Sequence, residues 1–218
     1  MGGTLYSADM KTSLIDQPES VAALQFMADI VNKQQVAPPS GAIKQPGDPW
    51  LNQIVATTWA HHGEEFSYQD QKESFPYDQV YYPQGSQLVI SGGTTGFAIP
   101  TQSKQKDTAW TLTTFMTGEE QQKVIVGQHR WGSGLRSAVP LQYAPGYNTP
   151  NYVACHVDPL TGKGPQAVAA PSPPALTQIE QIWGTLLGPV WKGKQQAKDV
   201  APTLKQQIDQ FLQQPTQI

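Results

Sequence analysis

The chain has 218 residues, a formal net charge of −3 and only 14% charged residues. Because no basic run could replace phosphate counterions, the sequence gives no basis for nucleic-acid binding. Its one cysteine, Cys155, excludes an intramolecular disulfide and is expected to be a buried or half-exposed thiol, and no run of about 18 apolar residues predicts a membrane span.

The first predicted element is a helix from about Pro18 to about Lys33, since proline suits a first helical turn and apolar residues recur at helical spacing. The face expected to be buried carries Val21, Leu24, Met27, Ile30 and Val31. A loop rich in Pro and Gly follows. Asp48-Pro49 is typical of an N-cap with a first-turn proline, which predicts a short helix through Asn52 or Gln53.

Three strands are predicted next, at Ile54 to Trp59, Tyr77 to Tyr82 and Leu88 to Ile99. The last contains Gly92-Gly93, where the backbone is expected to need positive φ or close approach to another group. Pro100 ends that strand because it lacks a ladder donor.

A pair of helices is predicted after the strands. Apolar residues between Asp107 and Met116 have helical spacing, and Trp110 is assigned to the core. Thr117 to Glu120 fits the capping-box pattern, which predicts that a second helix begins there.

The last third of the chain is predicted to contain an extended connection from Ser137 to Pro174 and then two helices. The first of these helices is expected to bury Leu176, Ile179, Ile182, Trp183, Leu186, Leu187 and Val190, and Trp191 is also assigned to the core. The second is expected to bury Val200, Leu204, Ile208, Phe211 and Leu212.

The order of these motifs resembles the extracellular solute-binding proteins, family 1, which deliver carbohydrates to ABC importers and include maltose-binding and glycerol-phosphate-binding proteins. Pro18 to Pro39 resembles the family's helix before a variable loop, and Ala175 to Gln214 resembles its two C-terminal helices. The central resemblance rests on Gly92-Gly93, Ala98-Ile99, Ser103-Lys104, Ala109-Trp110, Thr117 to Gln121, and Trp131 with Arg136.

The resemblance implies an α/β, type II periplasmic-binding-protein-like fold, here partial: the C-terminal half, helix-rich with a small sheet. Family members are usually about twice this length, so we expect the first lobe and the export signal to lie in a missing portion. The implied division is residues 1–95 as part of lobe 2, 96–148 as the hinge and part of lobe 1, and 149–218 as the C-terminal helices of lobe 2. The family's Gly-Lys-x-Ala-Met motif is replaced by Asn52 to Ala56.

The resemblance also implies function: the substrate-binding component of an ABC importer, without catalysis or cofactor, which captures a carbohydrate or related polar solute outside the cytoplasmic membrane. Its partners would be permease subunits, and membrane contact would come only through them or through a lipid anchor in the missing part. The ligand-binding residues implied are Trp59, His61, His62, Gly92, Gly93, Thr94, Trp131, Arg136 and Trp183.

Several of these residues also have a structural interpretation. An indole ring at Trp59 or Trp131 can stack on the apolar face of a sugar, but Trp59 could instead belong to the core. Gly92 to Thr94 could form a hinge without ligand contact, and Arg136 could bind a carboxylate of its own loop. The apolar spacing around Trp183 favours core packing over ligand contact.

Two other classes of function remain open. A metal-dependent hydrolase could use His61, His62 and Glu64, although this spacing matches no helix-borne metal motif. A glycosidase would need two opposed carboxylates, whereas Glu64 and Glu65 are sequence neighbours that need not converge. A non-catalytic interaction module would be favoured if Trp59 and Trp131 lay away from any cleft.

Overall fold

The computed structural model of the chain describes residues 2–60, 62–70, 75–85, 88–93, 95–128, 132–145 and 148–214, without the side chains of His62 and Phe66. The chain divides into two compact units. Unit 1 comprises Met1–Pro46, Gln84–Gln87 and Ala170–Ile218, and unit 2 comprises Gly47–Pro83 and Leu88–Ala169.

Helices dominate the described residues. In chain order they are α1 (Pro18–Asn32), α2 (His62–Gln69), α3 (Lys106–Thr117), α4 (Glu119–Gly127), α5 (Asp158–Thr161), α6 (Leu176–Leu186), α7 (Gly188–Trp191) and α8 (Ala197–Leu212). A 3-10 helix (Val139–Gln142) and a π-helical turn (Val153–Val157) lie between α4 and α5. Strands β1 (Ile90–Gly92) and β2 (Ala167–Ala169) pair in parallel, with Ile90 opposite Ala167.

The core of unit 1 is built from α1, α6, α7 and α8. Along α8 the buried residues recur at helical spacing, which turns one apolar face inward. This confirms the predicted closing helices, except that the first is divided into α6 and α7. α1 is confirmed as well, but Met27 is 54% exposed and not part of the core, because the helix buries Ser20 and Ala28 instead.

Polar contacts connect the beginning of unit 1 to its last helix. The amide of Ser13 donates to Oδ1 of Asp209 at 2.6 Å. Lys205 Nζ donates to the carbonyl oxygen of Ser13 at 2.9 Å and to Oδ2 of Asp209 at 2.7 Å. Since Ser13 is fully buried, these bonds satisfy backbone groups that water does not reach.

The strands of unit 2 approach each other closely at Gly92. A Cβ atom placed on Gly92 would lie 2.7 Å from Cβ of Ala167, a distance that real Cβ atoms do not adopt. Gly92 is therefore needed for close approach. Gly93 has open space where its Cβ would lie, so this requirement does not extend to it.

Two predicted strands are wrong and the third is much shorter than expected. Residues 54–59 and 77–82 form no strand, and the predicted strand at 88–99 is reduced to β1. Residues 77–82 contact the rest of unit 2 through side chains. Asp78 bonds to Asn151, Gln79 to Thr149, and Tyr81 to the carbonyl of Ala154.

The predicted capping box is wrong, although the second helix of the pair exists. α4 has Gly118 as its N-cap without a side-chain cap bond. The hydroxyl of Thr117 donates back to the carbonyl of Thr113 at 2.8 Å, as the last residue of α3. The assignment of Trp110 to the core is also wrong, since it is 62% exposed.

The segment from Ser137 to Pro174 is not an extended connection. It contains the 3-10 helix, the π-helical turn, α5 and β2. Its buried residues Val139, Tyr152 and Val157 form a small second core, and Cys155 is half-buried, as expected.

Candidate functional site

A turn at Asp48 anchors the segment that contains three of the nine predicted site residues, Trp59, His61 and His62. Oδ1 of Asp48 accepts the amides of Trp50 at 2.7 Å and Leu51 at 3.1 Å, which confirms its role as a cap. The turn closes with the amide of Ile54 donating to the carbonyl of Pro49 at 2.9 Å. It does not continue as the predicted helix.

The second oxygen of Asp48 binds α2. The Tyr68 hydroxyl donates to Oδ2 at 2.9 Å. Burial acts to raise the pKa of Asp48, but the hydrogen bonds from Leu51, Tyr68 and Trp50 outweigh it and hold the pKa below its usual value. Burial, together with the bond to the Asp48 carboxylate, raises the pKa of Tyr68 to about 12.

Trp50 is the centre of an aromatic cluster beside this turn. Its ring lies 4.7 Å from Tyr68, 4.9 Å from Phe75 and 4.9 Å from Tyr77, measured between centroids. The latter two contacts are edge-to-face, an arrangement that aromatic quadrupoles favour. A cavity of about 340 Å³ lies next to the cluster, lined by Trp50, Gln53, Ile54, Val55, Ala56 and Phe75.

Trp59 lies between the Asp48 turn and α2. Its side chain is 62% exposed, so the interpretation of Trp59 as a core residue is wrong. Both flanks of its segment are tied together by the bond between Asp48 and Tyr68. The large exposed ring is therefore carried on a loop whose ends are held in place.

A buried polar cluster includes Glu65 and Gln69 of α2. Glu65 is 4% exposed and accepts hydrogen bonds from Gln69 and, at 3.2 Å, from Nε2 of Gln79. The same nitrogen donates to Oγ1 of Thr149 at 2.7 Å, and Oε1 of Gln79 bonds to Nε2 of His156. Sequence analysis missed this cluster because its members lie as many as 91 positions apart, Glu65 to His156.

The two neighbouring glutamates of α2 have different environments. Glu64 is exposed and Glu65 is buried, so they do not face a shared space as a glycosidase pair would. Among the residues that the structure describes, no three His, Cys, Asp or Glu side chains are placed to hold a metal ion. His61 and the side chain of His62 lie outside that set, and the hydrolase alternative stays a prediction that these contacts do not test.

The other predicted site residues are distributed over both units. Trp59, Gly92, Gly93 and Arg136 belong to unit 2. Arg136 is exposed, and its carbonyl accepts the amide of Val139 at 3.4 Å. Thr94 and Trp131, like His61, lie outside the described residues.

Trp183 belongs to unit 1. It is half-buried against the core cluster, as its apolar spacing predicts. Its Nε1 is buried without a hydrogen-bond partner among the described residues.

None of the helices in the described ranges has the length and apolar character needed to cross a bilayer.

One comparison with known proteins identifies the family. Residues 1–123, more than half of the chain, match the sequence model of the family described as bacterial extracellular solute-binding protein. Comparison with curated proteins gives no match.

Two solved structures share the fold. An ABC transporter solute-binding protein from Thermotoga lettingae, bound with α-D-tagatose, is 19% identical with a TM-score of 0.72 over 97% of this chain and 53% of its own. An ABC substrate-binding protein from Listeria monocytogenes, in complex with cycloalternan, is 17% identical with a TM-score of 0.67 over 97% of this chain and 54% of its own. The chain thus spans about half the length of each. It has a partial periplasmic-binding-protein-like fold, and it belongs to the bacterial extracellular solute-binding protein family.

Proposed function

We propose that the protein is the solute-capturing component of an ABC importer and that its solute is a carbohydrate or a related polar molecule. Capture would take place in the periplasm or at the outer face of the cytoplasmic membrane. The loaded protein would then dock on the permease subunits. Membership of the family supports the binding role. The carbohydrates bound in the two structural neighbours support the class of solute.

The observation that most directly supports carbohydrate capture is the exposed ring of Trp59. A pyranose presents apolar C–H faces that lie well against an indole, while its hydroxyls need polar partners in the same plane. The side chains proposed to contact the solute are Trp59, His61, His62, Thr94, Trp131 and Arg136, with backbone groups of Gly92 and Gly93.

Capture in the complete protein would follow from lobe closure, without making or breaking a bond. A solute that contacts both lobes binds the closed form better, and this difference in affinity shifts the equilibrium between open and closed forms. A polypeptide that supplies only part of these contacts should bind the solute weakly. We therefore expect residues 1–218 alone to have little or no affinity for the solute.

The test is calorimetric titration of residues 1–218, and of a polypeptide that also contains the second lobe, with oligosaccharides, monosaccharides and glycerol phosphate diesters. We expect binding by the longer polypeptide only. Sub-millimolar binding by residues 1–218 would contradict the requirement for both lobes. Absence of binding by either protein would contradict carbohydrate capture and would favour a test of His61, His62 and Glu64 for metal retention.

A matched pair of variants tests the role of Trp59 in the longer polypeptide. Trp59→Ala should weaken binding by about fivefold, because stacked aromatic contacts contribute about 1 kcal/mol and a tenfold change corresponds to about 1.4 kcal/mol. Phe26→Ala removes another exposed aromatic ring, from α1, and should leave affinity unchanged. Equal affinities of the two variants would remove Trp59 from the site.

A further inference from the structure

Helix α2 is bound to the rest of unit 2 at two points, each a hydrogen bond that involves a buried side chain of the helix. The hydroxyl of Tyr68 donates to Oδ2 of Asp48 at 2.9 Å, and Oε1 of Glu65 accepts from Nε2 of Gln79 at 3.2 Å. Tyr68 is 6% exposed and Glu65 4% exposed, so water cannot simply replace either bond. α2 therefore cannot turn or slide without breaking a buried hydrogen bond.

Gln79 is the centre of the second point. Its Nε2 also donates to Oγ1 of Thr149 at 2.7 Å, and its Oε1 bonds to Nε2 of His156. Rotating the amide would set its oxygen against Oε1 of Glu65, an unfavourable contact between two acceptors. Gln79 thus has one favourable orientation, in which it connects α2 to the segment at residues 149–156.

The loop that carries Trp59 runs between the Asp48 turn and α2. The turn ends at Ile54 and α2 begins at His62, so positions 55–61 lie between them. The ring of Trp59 is 62% exposed, so packing into the core does not determine where it lies. Its position follows from the two ends of the loop, and α2 is one of them.

We propose that Gln79 and Tyr68 are positioning residues for solute capture, which act through α2 on Trp59 and do not touch the solute. Gln79 is the more remote of the two, since it bonds to other side chains of unit 2. A ring that is already held in its binding position loses less conformational freedom when the solute binds, and this raises the affinity. The inference rests on the proposed function, because it takes Trp59 as the stacking ring.

The first measurement needs no solute and uses residues 1–218. Nitrogen-15 relaxation gives the order parameter of the Trp59 backbone amide in the parent and in Gln79→Ala, at a temperature where circular dichroism shows both folded. We expect about 0.85 in the parent and less than about 0.6 in Gln79→Ala, the values of rigid and flexible backbone. An order parameter that Gln79→Ala leaves unchanged would overturn the proposal.

The second measurement is a double-mutant cycle of affinity in the longer polypeptide that contains the second lobe. The probe is the saccharide that binds most tightly in the titrations above. Gln79→Ala and Tyr68→Phe should each weaken binding about three- to tenfold when Trp59 is present, the range expected for lost preorganisation. In a Trp59→Ala background the same substitutions should weaken binding by less than about twofold, because their effect passes through that ring.

Gln25→Ala is the matched control. Gln25 connects α1 to α8, since its Nε2 donates to Asp29 at 2.7 Å and its Oε1 accepts the amide of Ala197 at 2.9 Å. These contacts lie in unit 1. Gln25→Ala should lower the melting temperature as Gln79→Ala does, but it should leave the affinity and the order parameter of Trp59 unchanged.

Two further results would overturn the proposal. Equal weakening with and without Trp59 would mean that Gln79 and Tyr68 act on binding by another route. A loss of affinity in Gln25→Ala as large as in Gln79→Ala would reduce the effect to general stability. If Trp59→Ala itself binds as tightly as the parent, the proposed stacking fails, and the order parameter of Trp59 in residues 1–218 still decides whether Gln79 positions that residue.

Discussion

The hydroxyl of Tyr68 on α2 donates a 2.9 Å hydrogen bond to Oδ2 of Asp48, which lies twenty positions earlier in the chain. The other oxygen of Asp48 caps the amides of Trp50 and Leu51. One carboxylate therefore holds both flanks of the segment that carries Trp59. This makes Asp48 and Tyr68 positioning residues for the proposed stacking ring.

Tyr68→Phe should lower the free energy of unfolding by about 1 kcal/mol, the typical loss for one hydrogen bond, while the ring contact with Trp50 is retained. The measurement is urea denaturation near neutral pH. Tyr82→Phe is the matched control, because that side chain is partly exposed and should change stability by less than about 0.5 kcal/mol. Equal stabilities of the two variants would show that the Asp48 bond contributes nothing.

The raised pKa of Tyr68 predicts a specific alkaline transition. Its folded pKa, about 12, lies above the usual value of 10.0. Because burial and the bond to Asp48 both favour the protonated hydroxyl, the contribution of Tyr68 to stability is fully present below pH 10 and is lost as pH rises through about 12. Burial also raises the pKa values of Tyr6 and Tyr81, so absorbance titration of the native protein should show several tyrosines ionising late. Tyr68→Phe should reduce that late absorbance change by the contribution of one tyrosine, and an undiminished late change would contradict the assignment to Tyr68.

Asp48 predicts the opposite dependence at acid pH. Because its folded pKa is lowered, its charged form stabilises the fold above the unfolded pKa of about 3.9, and this contribution is lost as pH falls through the lowered value. Asp48→Asn should thus be less stable than the parent at neutral pH, and the difference should shrink below about pH 4. Denaturation curves at several pH values measure it. A difference that does not change with pH would contradict a role for the charge.

Gly92→Ala should destabilise unit 2 by about 1 to 3 kcal/mol, the usual cost of overpacking, because its Cβ would collide with Ala167. Gly93→Ala is the control, since its Cβ would meet open space. Adding Ala167→Gly to Gly92→Ala should recover part of the loss. Thermal denaturation of the three variants decides the question, and similar melting temperatures for Gly92→Ala and Gly93→Ala would refute the close approach.

Asp209→Ala should lower the free energy of unfolding by about 1 to 3 kcal/mol, because the buried amide of Ser13 loses its acceptor. Asp209→Asn keeps an oxygen for that amide but loses the charge that faces Lys205, so its loss should be smaller. Chemical denaturation gives the order of the series. An asparagine variant as unstable as the alanine variant would mean that the ion pair, and not the buried amide, determines the cost.

The sequence predicted the features whose cause is local. The periodic apolar residues of α8 and the cap at Asp48 depend on neighbours within a few positions, and both were found. The strand predicted at Tyr77 to Tyr82 failed because its true partners, from Thr149 to Ala154, are about 70 positions away. Alternating residue types cannot distinguish a strand from a segment that side chains tether.

The candidate site shows the same limit. Helical spacing located α3 but assigned Trp110 to the core, because periodicity identifies an apolar face without showing what covers it. Tyr68 and Gln79 were missed, since nothing in their local sequence indicates the distant carboxylates of Asp48 and Glu65 that bind them. The sequence predicted that the backbone at Gly92 could need close approach to another group. Only the structure shows that this group is Ala167.

The bonds from Ser13 to Asp209 and Lys205 have a consequence for synthesis on the ribosome. Unit 1 combines residues 1–46 with residues 170–218, so α1 has no core to join until α8 has left the exit tunnel. Unit 2 is complete in the nascent chain before that moment. The protein should therefore be vulnerable to proteases and in need of chaperones until α8 has emerged, with α1 as the segment at risk.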